Sequence, residues 1–71
     1  MDITASIRAE LAYKNMTLDQ LAESISMSRK SLSQRMNGHT DFRLAEIVDI
    51  SDALNVSVVA LFGRATKESV A

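Results

Sequence analysis

The stretch TLDQLAESISMSRKSLSQRMNG, from Thr17 to Gly38, carries two helix start signals and a clear stop, so it can be built only from short helices. Thr17 is a favourable N-cap, and Gln20 three residues on completes a capping box in which each side chain satisfies a backbone donor of the first turn. Met16 before the cap and Leu21 at the fourth helical position can close a hydrophobic staple. Leu18, Leu21, Ala22 and Ile25 then recur at helical spacing. The pattern breaks at Ser26. Ser28 offers a new cap, and Met27 and Leu32 repeat the staple in the same register. The second helix runs through Leu32 and Met36 to Asn37-Gly38, where glycine suits a left-handed helix end. Helices joined by so few residues cannot lie antiparallel; they cross steeply, as a helix-turn-helix.

With Leu32 and Met36 inward, the second helix turns Arg29, Lys30, Ser33, Gln34 and part of Arg35 outward. Arg and Lys can donate to guanine O6 and N7, and Gln can bond adenine bidentately, so this face has the donors that major-groove edges accept. Ser28 and the first amides of the helix can meet a phosphate, because a helix N-terminus favours anions. A charged helix face is by default a solvated one. Its position after a tight turn, with no acidic residue between Ser24 and Thr40, favours DNA instead. The net charge of −1 argues the other way, since DNA-binding domains are usually basic. Its distribution answers this: residues 27–43 hold Arg29, Lys30, Arg35 and Arg43 against Asp41 alone. A local field of that kind is felt over a Debye length of roughly 8–10 Å.

These residues resemble the Cro/C1-type, XRE-like helix-turn-helix family of phage and bacterial transcriptional regulators. The resemblance rests on Thr17, Leu21-Ala22, Met27-Ser28-Arg29, Leu32-Ser33 and Asn37-Gly38, with a later helix ending in Ala53-Leu54-Asn55-Val56-Ser57. It spans residues 5 to 63 and implies an all-α fold, a compact five-helix bundle of the lambda-repressor-like type with a central helix-turn-helix. It also implies that the helix from Ser28 to Met36 enters the major groove, with Arg29, Lys30, Ser33 and Gln34 at base edges. Thr17, Ser28, Arg35, Asn37 and the loop through His39, Thr40 and Arg43 would lie near phosphates. Three positions depart from the family pattern. Ser26 stands where the turn usually has glycine, at a cost of about 1 kcal/mol for positive φ. Leu18 replaces a phosphate-binding Gln. Leu11 and Met36 occupy the positions of a common Arg–Glu ion pair, an exchange for apolar packing that is often neutral or stabilising.

The rest of the chain reads as support. Seventy-one residues make one small domain, too small for a sizeable enzyme pocket. With 46% apolar and only 4% aromatic residues, no Pro and no alternating stretch, the composition favours helices. Without Cys there is no disulfide framework or thiolate metal site. No apolar run nears about 18 residues and no leader is recognisable, so a full-length cytoplasmic protein without a membrane segment is expected.

A first helix from Asp2 or Thr4 to near Asn15 puts Ile3, Ile7 and Leu11 inward and Arg8, Glu10 and Lys14 in water, with Tyr13 packing at the rim. His39, the sole histidine, is either a phosphate contact or a plain loop residue. Asp41 either caps the next helix or turns away from DNA. Phe42 and Ile47 form a third staple. The fourth helix, 43 to 54, places Leu44, Ile47, Ile50, Ser51 and Leu54 inward and Glu46, Asp49 and Asp52 on an acidic outer face, with Asn55 as C-cap. Val56 and Leu61 make a fourth staple around the Ser57 cap of a short last helix, Val58 to Phe62, ended by Gly63. Residues 1–63 form the DNA-binding domain; 64–71 form a polar tail or helical extension.

Val58, Val59, Ala60, Leu61 and Phe62 are more consecutive apolar residues than one helix can bury in its own core. Leu61 and one or both of Val58 and Phe62 are internal, and Val59 and Ala60 are left outside. The resemblance implies a two-fold contact here, so Val58, Val59, Ala60 and Phe62 are candidates for a homodimer interface. Such a dimer would read half-sites roughly 34 Å apart on a palindromic operator.

The expected function is therefore sequence-specific double-stranded DNA binding by a Cro-like or repressor protein of phage or prophage type. The alternative is an antitoxin or anti-repressor of the same fold, using the apolar C-terminal face on another protein. No enzyme is expected, since no phosphate loop, metal-ligand cluster or nucleophile–base pair can be assembled; nor is any cofactor, metal or small-molecule ligand.

Overall fold

The computed structural model of the chain describes residues 3–63. The expected tail, 64–71, and an α1 start at Asp2 lie outside these residues. The elements are α1 (Thr4–Tyr13), α2 (Leu18–Ser24), α3 (Arg29–Met36) and α4 (Leu44–Leu54), followed by helical residues 58–63, here α5. The fold is the all-helical, compact lambda-repressor-like arrangement, and the described residues contain no strand. Among them no helix is long and apolar enough to cross a membrane.

Each joint follows from short-range bonding. Three of the four connections use the same three residues in order: a small polar residue with positive φ, an apolar residue, and a hydroxyl cap. They are Asn15-Met16-Thr17, Ser26-Met27-Ser28 and Asn55-Val56-Ser57, with φ of 55°, 57° and 56° at the leading residue. In each, the apolar residue donates its amide to a carbonyl five residues back: Met16 to Leu11 at 2.9 Å, Met27 to Ala22 at 3.0 Å, Val56 to Ser51 at 3.0 Å. The positive-φ residue donates to the carbonyl three back, completing a Schellman ending. The cap hydroxyls then accept amides of the next helix: Thr17 from Gln20 at 3.1 Å, Ser28 from Ser31 at 3.1 Å, Ser57 from Ala60 at 3.0 Å. One apolar residue thus closes the helix behind it with its amide and staples the helix ahead with its side chain.

The staples do anchor the core. Leu21, Leu32, Ile47 and Leu61 are all buried, and Met16, Met27, Phe42 and Val56 pack against them as partly buried neighbours of one cluster. That cluster draws on Ile3, Ile7 and Leu11 around α1, Ala22, Met36, Ile50 and Leu54, so every helix contributes. Leu11 and Met36 are both buried in it, which agrees with apolar packing at the family's ion-pair positions. Ser6, fully buried, donates its hydroxyl to the Leu61 carbonyl at 3.1 Å and ties α1 to α5.

Several expectations need correction. Leu44 is 68% exposed rather than inward. It is the first residue of α4, where the side chain leans back beyond the helix start, while Phe42 packs on the core at that end. Glu10 is buried rather than in water, because Lys14 one turn on covers and neutralises its carboxylate at 3.0 Å. Tyr13 is 84% exposed instead of packing at the rim, with the Lys14 ammonium 5.5 Å from its ring centre. Asp41 is not a cap: α4 is capped at Arg43, whose amide donates to Glu46 at 2.8 Å. Gly63, expected to end α5, is itself helical.

Candidate nucleic-acid interface

The sequence builds α3 as a short rod held on three sides. Inward, Leu32 is fully buried and Met36 nearly so. At its start, Ser28 caps it; at its end, the Gly38 amide donates to the Arg35 carbonyl and the His39 amide to the Gln34 carbonyl. Gly38 sits at φ +84°, where a side chain would be strained. Helical spacing then sets Gln34 opposite the Leu32–Met36 stripe, with Lys30 and Asn37 beside it. All three are exposed. Ser33 is half-buried, and its hydroxyl accepts from the Asn37 amide group at 3.4 Å.

Two arginines brace the rod's flanks. Arg29, the first residue of α3, places its Nε 3.0 Å from the Asp19 carboxylate of α2 while its side chain stays half exposed. Arg35 turns the other way. Its Nε donates to Glu46 of α4 at 2.9 Å and its Nη1 to the Ser31 carbonyl at 3.0 Å, leaving the side chain 15% exposed. Glu46 therefore leaves the acidic outer face expected for it and becomes the joint between α3 and α4. The Arg35 hydrogen bond, aided by the Arg43 amide and by the charge of both arginines, holds the Glu46 carboxyl below the usual carboxylate range against the opposing effect of burial. Arg35 was expected near a phosphate; its guanidinium is instead occupied inside the protein.

Lys30 is exposed and makes no ion pair among the described residues. His39, Thr40 and Arg43 are exposed on the connection from α3 to α4, together with Asp41. Thr17 and Ser28 are exposed, with their hydroxyl oxygens accepting the cap bonds and their protons left to donate. Leu18, in place of the phosphate-binding Gln, packs partly against the core. On α5, Val59 is 79% exposed and Ala60 exposed, while Val58 and Phe62 are half-buried against the core.

Sequence reasoning missed the roles of Asp19 and Glu46. Glu46 was within reach: the Phe42–Ile47 staple fixes Arg43 as the cap and so places Glu46 at the capping-box position. Asp19 had no such local signal, because its pairing with Arg29 exists only once α2 and α3 have crossed.

A family model described as helix-turn-helix matches residues 7–61. The chain belongs to the Cro/C1-type helix-turn-helix family. No curated protein and no solved structure matches it. As a member of this family it is a DNA-binding helix-turn-helix regulator whose partner is double-stranded DNA. The covered pairs Glu10–Lys14 and Arg35–Glu46 are each neutral, so the net charge of −1 stays with the other side chains, and Lys30 is the exposed cation that α3 keeps outside any ion pair among the described residues.

Proposed function

We propose that the chain is a Cro-like or repressor protein of phage or prophage type that binds a palindromic operator as a homodimer, with α3 in the major groove. Lys30, Gln34 and Arg29 meet base edges, with Ser33 beside them at the groove wall. Thr17, Ser28, Asn37, His39, Thr40 and Arg43 meet phosphates on either side. Arg35 serves by fixing the angle of α3 to α4 and takes no part in the contact.

The observation that carries this reading is the division of labour on α3. Leu32, Met36 and Arg35 are spent inside the protein, while Lys30, Gln34 and Asn37 remain in water on a helix fixed at both ends. Rigid placement of a few donors is what base readout requires. Homodimerisation is supported by Val59, a large apolar side chain 79% exposed on α5 beside exposed Ala60, continuous with half-buried Val58 and Phe62. These are the dimer residues of the proposal.

Selection from a random duplex pool, followed by binding across a salt series, tests both halves. A palindromic winner with half-sites roughly one helical turn apart is expected. Val59→Asp should convert two-site binding into weak single-site binding without changing the preferred half-site. A winner without symmetry would refute the dimer, and absence of any preferred duplex would refute sequence-specific regulation.

A further inference from the structure

The two braces on α3 differ. Arg35–Glu46 is covered, but Arg29–Asp19 is open: the side chains are 52% and 77% exposed. An exposed pair of this kind adds little to stability. It nevertheless biases where a long side chain points. Arg29 leaves α3 one turn before Leu32, on the flank next to the core stripe, and not at the outermost line occupied by Gln34. Left alone, its guanidinium could sweep from the base edges to either phosphate strand.

We propose that Asp19 is a positioning residue that sets sequence specificity by holding Arg29 for a base edge and away from the phosphate backbone. This rests on the reading that α3 lies in the major groove. The carboxylate meets Arg29 at Nε, which leaves both terminal nitrogens for the two-pronged contact that guanine O6 and N7 offer. The same negative charge repels a phosphate approaching Arg29 and partly cancels the guanidinium's long-range attraction, so a contact that merely seeks charge is disfavoured. A base edge, which rewards direction more than charge, is disfavoured less. Lys30, adjacent in sequence and without an ion pair among the described residues, provides the internal comparison.

The test uses the full chain with Asp19→Asn, Arg29→Ala and the double variant. Binding is measured to the selected duplex, to that duplex with each base pair changed, and to random duplex across a salt series. Asp19→Asn is expected to flatten preference at one base pair of each half-site by roughly two- to fivefold, the bias one exposed ion pair can impose. Affinity for random duplex should rise, and its log–log salt slope should steepen by about 0.9 as Arg29 is released to a phosphate. Thermal stability should stay close to the parent's, and the base preference governed by Lys30 should not move. In the Arg29→Ala background, Asp19→Asn should flatten nothing further. Unaltered base preference in Asp19→Asn, or equal flattening with and without Arg29, overturns the proposal while leaving DNA recognition intact. Failure of the parent chain to select any duplex overturns the underlying reading and this inference with it.

Discussion

Replacing Glu46 should loosen the recognition helix from behind without touching its outer face. One carboxylate oxygen accepts both the Arg43 amide at 2.8 Å and the Arg35 Nε at 2.9 Å, and both ionic side chains are under a fifth exposed. A hydrogen bond to a charged group contributes about 1.5–3 kcal/mol, and a lost helix cap about 1. Arg35 keeps its bond to Ser31. Glu46→Ala, which removes both contacts, should therefore cost about 2.5–4 kcal/mol, while Glu46→Gln, which can still accept from the Arg43 amide, should cost about half as much. In a domain of this size each kcal/mol lowers Tm by roughly 4–8 °C.

The pH dependence adds a second, independent signature. Because the folded pKa of Glu46 is depressed, its contribution is fully present above the unfolded value of about 4.3 and disappears as pH falls through the lowered folded value. Parent and Glu46→Gln should differ most near neutrality and converge in acid. Urea or thermal unfolding followed by circular dichroism at pH 7 and at acidic pH measures both effects. A Glu46→Ala chain as stable as the parent at pH 7, or a stability gap that persists unchanged in strong acid, would refute the assignment of the joint to this carboxylate.

Two further outcomes follow from local geometry. Ser26 holds φ 57°, a conformation glycine adopts freely, so Ser26→Gly should raise stability by about 1 kcal/mol in thermal unfolding and leave operator affinity unchanged. A loss of stability would mean that the turn is not strained there. Arg43→Ala should weaken binding to selected and random duplexes alike and reduce the salt slope by about one, since an exposed loop arginine is proposed at a phosphate. A change in base preference would instead move Arg43 into the groove.

Much of this fold was legible because its joints are local. Capping boxes, staples and left-handed endings span six residues or fewer, so Met16-Thr17, Met27-Ser28 and Val56-Ser57 announce themselves in the chain. Asn15 was not recognised as the first member of the same device, although Ser26 and Asn55 were anticipated. The outward set on α3 was legible for the same reason: once Leu32 and Met36 face in, helical spacing sends Lys30 and Gln34 out. Leu44 failed because periodicity assigns a face but not the distance at which a core ends.

What the sequence alone determined was where most of the helices begin and end and which stripe each buries, since those depend on bonds and contacts within one or two turns. The tertiary structure decided the fate of the charges. Whether Arg35 meets a phosphate or Glu46, and whether Arg29 stands free or beside Asp19, depend on how separate helices cross. A charged side chain long enough to reach several partners is settled only when the neighbouring helix has taken its place.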